Sequence, residues 1–441
     1  MTVKAPILWQ RGGILLLLLA ILFFGGYRSI NYFTSMRQNV NEVAYVWEKH
    51  IPFIESFMLP YMSIDLFFAA SLFMFRRIKP LHRHALRLAL AMLISYFGFL
   101  LFPLKFSTPV PHLIGFNGWL QDTLFSIDKP FNQAPSLHIS LLIVLWVCYA
   151  KKLADLAKIA LHAWFFAIGA SVLLVYQHHF IDVWTGALAG VACLYLIPDA
   201  PFAWRWQRPT ARMQSLGWRY ALGAILLLVF ALILGKISGF LSLACIWAAS
   251  ALLLVAAAYF GLGRQVFQRH CGHMRWPARL MLAPYLLGSW LSYLRYTKNK
   301  SLPNQILGNV WLGAFPRIKN AYTRFNGVLD LSNEFANLSI SAPLTRHIPV
   351  LDLTPPCPQT LVKAANWLDY AQQKGDVLVH CALGVSRSAS VVVCWLVWRG
   401  HAANTQAAVA QVNMLRPGLV LSTEHITNIE AALQLLRAKK S

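Results

Sequence analysis

The fold of the C-terminal part of the chain is decided by Asp376-Val-Leu-Val-His-Cys-Ala-Leu-Gly-Val-Ser-Arg-Ser-Ala-Ser390. The apolar run from Val377 to His380 predicts a short buried strand, and residues 381–387 predict a tight loop that leads into a helix of apolar and small residues. The first turn of a helix presents unpaired N–H groups and the positive end of the helix dipole, so the loop predicts an anion site above Cys381. The same field favours the thiolate form of Cys381 and makes this residue a candidate nucleophile toward phosphorus.

The loop also contains the residues that a phosphate cradle requires. Arg387 carries a planar guanidinium that can hold two phosphoryl oxygens at once, and Gly384 allows the loop to bend with its amides pointing inward. The candidate phosphate-binding residues are therefore Arg387 and the loop residues before it, namely Ala382, Leu383, Gly384, Val385 and Ser386. We expect no metal here, because no second Cys or His pair lies at ligand spacing from His380 and Cys381.

The spacing His-Cys-x5-Arg-Ser at residues 380–388 resembles the signature loop of the cysteine-dependent protein tyrosine phosphatases, in the dual-specificity branch. The resemblance covers the chain from about residue 302 onward. It implies hydrolysis of phosphomonoesters through a cysteinyl-phosphate intermediate at Cys381, without cofactor or metal. It also implies that Ser388 supplies the hydroxyl that eases departure of the thiolate. The alternative is that Cys381 is inert packing at a strand-to-helix turn, as a lone buried cysteine usually is.

This mechanism also needs a carboxylic acid that protonates the leaving oxygen, and the resemblance places it on a loop upstream of the cysteine. Asp352 is the favoured candidate, because it closes the extended run 346–352 and precedes a stretch too rich in proline to be helical. Asp330 is the rival, at the end of Gly327-Val-Leu-Asp. We expect Asp330 to be structural, because a general acid must be mobile and within reach of the site.

Composition indicates that most of the chain lies in a membrane. Hydrophobic residues make up 57% of the 441 residues and charged residues only 12%, unlike an ordinary soluble chain. The formal net charge of +23 lies in short loops beside apolar segments, which favours membrane topology and anionic lipid over nucleic acid as its cause. The 7 cysteines are odd in number and scattered through apolar segments, so we expect no disulfide framework.

Eight apolar segments predict membrane spans, at residues 7–27, 53–75, 86–106, 137–150, 159–177, 180–197, 218–234 and 240–262. The first segment lacks a small-x-small cleavage site and is interpreted as a retained span rather than a signal peptide. Segment 137–150 is short, so we expect its helix to extend back into the preceding loop. Residues 276–296 carry prolines and basic residues and predict an interfacial helix or connector, with a ninth span as the alternative.

From about residue 297 the apolar continuity ends and short strands alternate with helices. Strands are predicted at residues 310–312, 327–331, 346–352 and 377–380, and helices at 359–373, 388–398, 405–415 and 423–437. The expected fold class is a multi-pass all-α membrane domain, with a six-helix core and extra spans, followed by a soluble α/β cysteine-phosphatase domain. The expected divisions are an N-terminal span and loop at 1–52, a membrane domain at 53–200, two further spans and a basic connector at 201–300, and the α/β domain at 301–441.

The membrane part has a polar constellation of its own. Pro135-Ser-Leu-His138 stands where a loop enters a span, and Gln177-His-His-Phe-Ile-Asp182 stands between two spans. Ionisable groups at such depths are costly and are functional by default. On a helix, His178 and Asp182 would share a face, so Asp182 would accept a hydrogen bond from His178 and leave the other ring nitrogen free to attack phosphorus. His138 would then protonate the leaving group. The alternative is that these histidines only satisfy one another between helices.

These motifs resemble those of the type 2 phosphatidic acid phosphatase superfamily, whose second motif is Pro-Ser-x-His and whose third combines Ser, His and Asp. The resemblance spans about residues 53–197 and implies a six-helix core. It implies that His178 becomes phosphohistidine, that Asp182 orients it and that His138 is the general acid. It further implies that Ser136 and Lys105 bind phosphate.

The chain departs from this superfamily at two positions. Ser171 stands where the third-motif serine is expected, but the arginines of the superfamily are absent, since His112 and Val172 occupy their positions. The departure resembles the branch of inositol phosphorylceramide and sphingomyelin synthases. It leaves transfer of a phospho-headgroup open beside hydrolysis.

Charge in the loops predicts the topology. The basic residues between the second and third spans belong in the cytoplasm by the positive-inside tendency, which puts the cysteine domain in the cytoplasm and the His138 and His178 motifs on the outer face. We expect a multi-pass protein of a bacterial inner membrane whose partners are the lipid bilayer and a phospholipid substrate, with no nucleic acid. The cysteine domain would act on a phosphoprotein or a phospholipid. The alternatives are that the membrane half is a degenerate sensor or anchor, or that the cysteine site acts on lipid or inositol phosphates rather than on phosphoprotein.

Overall fold

A computed structural model of the chain describes residues 8–106, 108–199, 202, 204–235, 238–298, 302–316, 323–335 and 342–438. The chain divides into two compact units, Met1–Ala203 with Leu234–Ser242, and Trp204–Ile233 with Leu243–Ser441. The last two predicted spans and the predicted connector therefore belong largely to the same unit as the α/β domain.

The first unit is built from helices. These are α1 (Trp9–Ser35), α2 (Met58–Ser71), α3 (Ile78–Leu101), α4 (Gly115–Ile127), α5 (Leu137–Ala150), α6 (Asp155–Leu174) and α7 (Phe180–Leu196). Leu88 of α3, Leu145 of α5 and Phe165 of α6 are fully buried in one hydrophobic core. The sequence prediction missed α4, because its 13 residues are too few for a span and include polar side chains.

Among the described residues, five helices are long and apolar enough to cross a membrane, at Trp9–Ser35, Ile78–Leu101, Asp155–Leu174, Ala211–Leu234 and Gly239–Phe267. The helices α2, α5 and α7 are shorter, with 14, 14 and 17 residues. All of the predicted spans thus coincide with helices, although not all of these helices reach the length of a full span.

The expected backward extension of segment 137–150 is wrong. The helix α5 begins at Leu137, where the Ser136 hydroxyl caps it by accepting a hydrogen bond from the Ile139 N–H at 3.3 Å. Ala134 precedes a proline, and a residue in that position disfavours the helical conformation. Because of these local signals, the helix starts at the Ser136 cap and does not extend back into the preceding loop.

The second unit begins with two long helices, α8 (Ala211–Leu234) and α9 (Gly239–Ala257). The chain continues from α9 through a π turn at Ala258–Leu262 and a 3-10 turn at Gly263–Phe267. Tyr220 of α8 stacks on Tyr259 of the π turn with ring centroids 5.3 Å apart, which holds the two helices together at this level. A short hairpin follows, formed by β1 (Arg269–His270) and β2 (His273–Met274).

Residues 276–296 form two helices, α10 (Trp276–Met281) and α11 (Ala283–Tyr296). Neither is among the described helices long enough to span a membrane. A proline stands in the first turn of each helix, where a missing N–H costs nothing. The Tyr293 hydroxyl donates to the Phe315 carbonyl at 2.5 Å and ties α11 to the α/β domain. The structure therefore favours a connector here over a ninth span.

The α/β domain contains a five-stranded sheet in the order β3-β4-β7-β5-β6. Its strands are β3 (Asn304–Leu307), β4 (Val310–Gly313), β5 (Gly327–Asp330), β6 (Leu344–His347) and β7 (Val377–His380). Only β3 pairs in the antiparallel sense. All residues of the central strand β7 are buried, as its unbroken apolar run predicted. Because parallel strands end at one edge, the loops after β4, β5, β6 and β7 converge there.

Four helices complete this domain, α12 (Pro358–Gln372), α13 (Arg387–Trp398), α14 (Thr405–Leu415) and α15 (Thr423–Ala438). All four were predicted, as were β4, β5 and β7. The strand β3 was missed, and the predicted strand at 346–352 is wrong in its bounds. The chain leaves the sheet after His347 because Pro349 has no N–H to continue a ladder.

Candidate active sites

Cys381 lies directly after the central strand β7, at the carboxyl edge of the sheet. The side chain is buried, and its sulfur accepts hydrogen bonds from the Gly384 N–H and the Ser388 hydroxyl, both at 3.3 Å. Because α13 begins at Arg387, the loop also lies at the positive end of a helix. The two donors and the helix end all stabilise negative charge on the sulfur, which is the reactive form of a cysteine.

The carbonyl groups of the loop face away from the sulfur. The Ala382 carbonyl accepts a hydrogen bond from the Phe315 N–H at 2.9 Å, and the Val385 carbonyl accepts one from the Val420 N–H at 2.9 Å. The Arg416 guanidinium donates to the Leu383 carbonyl at 3.1 Å and to the Gly384 carbonyl at 2.9 Å. In a planar trans peptide the next N–H points opposite to the carbonyl, so the N–H groups of residues 383–386 point away from these partners, and the Gly384 N–H reaches the Cys381 sulfur. These N–H groups are therefore the candidates for the anion cradle that the sequence predicts.

Gly384 is the one position of the loop where only glycine fits. Its φ is +73°, and a Cβ built there would lie 2.2 Å from the Gly313 carbonyl oxygen. A side chain would therefore push the loop away from β4 and also strain the backbone.

Arg387 is held by two carboxylates and a backbone carbonyl. It makes a bidentate pair with Glu334, with Nη1 3.0 Å from Oε2 and Nη2 2.6 Å from Oε1. Its Nη2 also donates to Asp352 Oδ1 at 2.8 Å, and its Nη1 donates to the Val350 carbonyl at 3.0 Å. The sequence prediction missed Glu334. The available signal was its position just after β5, at the edge where the loops converge.

Arg387 gives the two carboxyl groups different tasks. Burial acts to raise the pKa of Glu334, but the Arg387 guanidinium outweighs it and holds that pKa below its ordinary value. For Asp352, burial raises the pKa, Arg387 lowers it and Glu334 raises it, with a net upward shift. Because 39% of the Asp352 side chain is exposed, solvent moderates this shift. Glu334 thus stays ionised and positions Arg387, while Asp352 is the carboxyl that can carry a proton.

The rival carboxyl, Asp330, has a structural environment. It is fully buried, pairs with Arg269 at 2.9 Å and lies 3.3 Å from His347 Nδ1. The Ser332 N–H and hydroxyl donate to it at 2.8 and 2.6 Å. Burial acts to raise its pKa, but His380, His347, Arg269 and Ser332 together hold that pKa far below the ordinary value. A buried, permanently ionised carboxylate has no proton to give, so the geometry favours Asp352 as the acid.

Side chains from the apolar helices hold the loop that carries Asp352. The Tyr259 hydroxyl donates to the Asp352 carbonyl at 2.8 Å, and Arg212 Nε donates to the Leu353 carbonyl at 3.0 Å. Leu353 has a φ of 57°, a conformation that residues other than glycine rarely adopt. These partners are 93 and 141 positions apart in the sequence. No local pattern could have indicated them.

In the first unit, His138 and His178 line one cavity of about 300 Å³. His138 lies in the first turn of α5, and its ring stacks on Tyr61 with centroids 4.3 Å apart. Its Nε2 is buried and has no hydrogen-bond partner among the described residues. The structure therefore brings together the two histidines that the sequence singled out.

The expected pairing of His178 with Asp182 is only partly present. The helix α7 begins at Phe180, so His178 precedes the helix rather than lying on it. Its Nδ1 is 3.6 Å from Asp182 Oδ2, longer than a hydrogen bond, and Asp182 instead accepts from the His179 N–H at 2.8 Å. With its amide nitrogen turned toward them, Gln133 lies 3.3 Å from His178 Nδ1 and 3.1 Å from Asp182 Oδ2. Asp182 is thus the carboxylate of a capping box, with His179 as the N-cap, and it also lies beside the His178 ring.

In this structure the predicted phosphate ligands Ser136 and Lys105, and the motif residue Ser171, lie outside the lining of the cavity. The Ser136 side chain is fully buried as the cap of α5, and the Ser171 hydroxyl donates to the Ile168 carbonyl at 2.7 Å. Neither Lys105 nor Ser136 is among the described residues that line the cavity. Backbone groups near helix ends compete for short hydroxyl side chains, which explains why both serine hydroxyls bond to the backbone.

Two carboxyl groups that the sequence prediction missed line the same cavity, Asp65 of α2 and Asp128. The Tyr27 hydroxyl and the Asn31 amide each donate to Asp128 at 2.9 Å. Asp128 lies between α4 and α5, outside the spanning helices, and burial raises its pKa to about 6. The available signal was Asp65, since an ionisable residue inside an apolar segment indicates a functional site.

Known families match both regions. The family described as "Dual specificity phosphatase, catalytic domain" matches residues 310–433, and the family "PAP2 superfamily" matches residues 84–206. Dual specificity protein phosphatase OPG106 and dual specificity protein phosphatase H1, both of Variola virus, are each 29% identical to this chain over 120 residues, which is 26% of this chain and 70% of the relative. These matches cover the α/β domain.

Several solved structures are also similar to this domain. Tk-PTP in its active form is 23% identical, with 30% of this chain and 96% of that chain covered and a TM-score of 0.28. PTPMT1 in complex with PI(5)P is 20% identical, with coverage of 32% and 99% and a TM-score of 0.29. DUSP15 is 20% identical, with coverage of 31% and 93% and a TM-score of 0.28. From the two family matches, the chain combines a PAP2 superfamily domain with a dual specificity phosphatase catalytic domain, and it is a phosphatase with a membrane part.

Proposed function

We propose that the second unit hydrolyses phosphomonoesters through a cysteinyl-phosphate intermediate, and that the first unit acts on the phospho-headgroup of a lipid. The observation that carries the first part is the convergence at one sheet edge of Cys381, its backbone cradle, Arg387 and Asp352. A nucleophile, an anion site and an acid are the groups that phosphoryl transfer requires.

In the first chemical step, the substrate phosphate accepts hydrogen bonds from the loop N–H groups and from Arg387. The Cys381 thiolate attacks phosphorus, the bond from phosphorus to the leaving oxygen breaks, and Asp352 gives its proton to that oxygen, so that an alcohol departs. In the free protein Arg387 holds Asp352 at 2.8 Å. A phosphate dianion competes for this guanidinium, so its binding releases Asp352 toward the leaving oxygen. Glu334 keeps Arg387 oriented meanwhile.

In the second step, water attacks the phosphorus of the cysteinyl phosphate. The Asp352 carboxylate takes a proton from the water, the bond from phosphorus to sulfur breaks, and inorganic phosphate leaves. The sulfur departs as a thiolate, and the Ser388 hydroxyl at 3.3 Å donates a hydrogen bond to it. The protein then returns to its starting state.

For the first unit, the proposal rests on two histidines that face one cavity beside Asp182. His178 would accept the phosphoryl group, Asp182 would stabilise the charged ring, and His138 would protonate the leaving oxygen. Lys105 and Ser136 would act as phosphate ligands only after a rearrangement that brings them to the cavity.

The test compares four forms of the full-length protein in detergent: the unchanged chain, Cys381→Ser, His178→Ala and the double variant. We expect Cys381→Ser to abolish hydrolysis of a soluble aryl phosphate, because an alcohol stays protonated in a cradle for a thiolate. We expect the remaining release of headgroup from phospholipid to disappear in the double variant. Aryl phosphate hydrolysis that survives Cys381→Ser contradicts the first part of the proposal, and lipid activity that survives in the double variant contradicts the second part.

A further inference from the structure

The Cys381 site opens into a cavity of about 480 Å³ within the second unit. Its floor is formed by the phosphatase loop and the acid, through Ala382, Leu383, Glu334 and Asp352. Its volume lies in the usual range for pockets that bind small molecules, roughly 300–1,000 Å³. The lining of this cavity indicates which class of substrate the site takes. An assignment of that substrate rests on the proposed cysteine chemistry.

The walls of this cavity come from helices long enough to cross a membrane. Tyr220 and Leu227 of α8, and Ala248 and Leu252 of α9, line it. From Tyr220 to Leu227 the wall follows two turns of α8, about 10 Å at the usual helical rise. Both helices are candidate spans. An apolar wall of this length on membrane helices fits a hydrocarbon chain, because such a surface offers few polar partners to a peptide backbone.

The helix α11 separates the cavity from a second apolar surface. Gly288, Ser289 and Ser292 line the cavity, while Leu287 and Leu291 are 59% and 57% exposed on another face of the same helix. A short helix with large exposed apolar side chains and basic neighbours is typical of one that lies along a membrane surface. The cavity is thus lined by candidate spanning helices and by a helix of the kind that lies along a membrane surface.

The apolar helices also complete the catalytic apparatus. The Tyr259 hydroxyl and Arg212 donate to the backbone of the loop that carries Asp352, at 2.8 and 3.0 Å. The acid is thus positioned by the same helices that form the apolar wall. This contact is independent of the cavity and assigns the helices a part in the reaction, beyond anchoring.

We infer that the substrate of the Cys381 site is a membrane lipid that carries a terminal phosphomonoester. Its phosphate occupies the cradle above Cys381, its headgroup passes the hydroxyls of Ser289 and Ser292, and its hydrocarbon chain lies against α8 and α9. The two-step reaction releases the lipid alcohol and inorganic phosphate. A phosphopeptide is the competing substrate class, and its turnover must be measured beside that of the lipid.

The test uses full-length protein in mixed micelles and takes as the Cys381-dependent rate the difference between the unchanged chain and Cys381→Ser. The substrates are a long-chain phosphatidate, glycerol 3-phosphate as its headgroup without chains, a phosphotyrosyl peptide and a soluble aryl phosphate. We expect kcat/KM for phosphatidate to exceed that for glycerol 3-phosphate and for the peptide by about a hundredfold or more, since each buried methylene contributes to discrimination.

Gly288→Phe tests the cavity directly. Gly288 lines the cavity and a Cβ there meets no atom within 4 Å, so a side chain at this position has room to start into the cavity. We expect it to lower the Cys381-dependent kcat/KM for phosphatidate by about tenfold or more and to lower that for the smaller aryl phosphate by a lesser factor. Leu291→Phe, on the exposed face of α11, is the matched control and should change neither.

The outcomes separate two failures. The lipid assignment is overturned by equal turnover of phosphatidate and glycerol 3-phosphate, by preference for the peptide, or by no effect of Gly288→Phe on phosphatidate. In each of these cases aryl phosphate hydrolysis still supports the cysteine chemistry. Absence of Cys381-dependent turnover of every substrate, including aryl phosphate, overturns the proposed function and the lipid assignment with it.

Discussion

The cysteine loop and the histidine cavity differ in how their polar groups are held. At the cysteine loop, the carbonyls of residues 382–385, the Arg387 guanidinium and the Cys381 sulfur all have partners within 3.3 Å. At the histidine cavity, His138 Nε2 has no partner among the described residues and His178 stays 3.6 Å from Asp182. A site built from one loop's backbone is complete before a ligand binds, whereas a site built from side chains of several helices is not. Substitutions in the cysteine site can test how far its geometry is fixed in advance.

Asp352→Asn should give the largest effect of the variants proposed in this comparison. We expect turnover to fall by about two to four decades for phosphomonoesters with poor leaving groups, and much less for activated aryl esters, since only a poor leaving group needs the proton. Steady-state kinetics across a series of leaving groups measures this dependence. Asp330→Asn is the control. It should lower the melting temperature, because it leaves Arg269 without its buried partner, at a cost of about 3–5 kcal/mol. Leaving-group dependence in Asp330→Asn and not in Asp352→Asn would reverse the assignment.

The pH dependence of kcat/KM is a second test of Asp352 as the general acid. A general acid acts in its protonated form, so kcat/KM should fall as pH rises through the pKa of Asp352. Because that pKa is raised in the folded protein, the falling limb should lie above the range of an ordinary aspartate, about 3.9. In Asp352→Asn this limb should be absent. A limb that persists unchanged in that variant would assign it to another group.

Gly384→Ala tests whether the loop's backbone makes the site. We expect a loss of about two decades in kcat/KM for aryl phosphate, because a Cβ would meet the Gly313 carbonyl at 2.2 Å and small displacements of catalytic groups cost about a hundredfold. The matched control is Gly400→Ala, whose φ is +75° but whose Cβ meets nothing within 4 Å. It should cost only the backbone strain, about 1 kcal/mol of stability. Equal activity in the two variants would show that the loop tolerates displacement.

The side of the membrane on which the C-terminal domain lies can be tested without any measurement of activity. Four basic residues lie just before α3 and in its first turns, namely Arg76, Arg77, Lys79 and Arg83, and the positive-inside tendency then predicts that the C-terminal domain is cytoplasmic. A reporter fused after Ser441 and fluorescent only in the cytoplasm should give a signal. Activity of a reporter that works only outside the cytoplasm would contradict this topology and would support a ninth span at residues 276–296.

The sequence predicted the parts of the molecule that depend on local patterns. The run from Val377 to His380 and the loop after it indicated the central strand and the helix start, because strand, turn and helix are adjacent there, and the nucleophile and cradle assigned to this loop stay predictions. The histidines could be found because ionisable residues beside apolar spans are rare. Lys105 and Ser136 were assigned by spacing alone, and the structure gives the Ser136 hydroxyl to a helix cap instead.

The features that could not be predicted depend on contacts between distant segments. Glu334 pairs with Arg387 across 53 positions, and Tyr259 reaches the Asp352 loop across 93. The sequence predicted the last two spans only as further spans before a basic connector. Only the folded chain shows that α8 and α9 line the cavity above Cys381. Side-chain contacts of this kind arise from tertiary packing and leave no periodicity to detect.

The cysteine mechanism is tested most sharply by identifying the residue that carries the phosphoryl group. Ser388→Ala should slow breakdown of the intermediate, because the departing thiolate loses the hydroxyl 3.3 Å away. Full-length Ser388→Ala is mixed with an aryl phosphate, quenched within the first turnovers and digested, and the phosphorylated peptide is sequenced by mass spectrometry. The mechanism predicts phosphate on Cys381, and its absence when Cys381→Ser is added. Phosphate on another residue of the α/β domain, or turnover without any adduct, would contradict it.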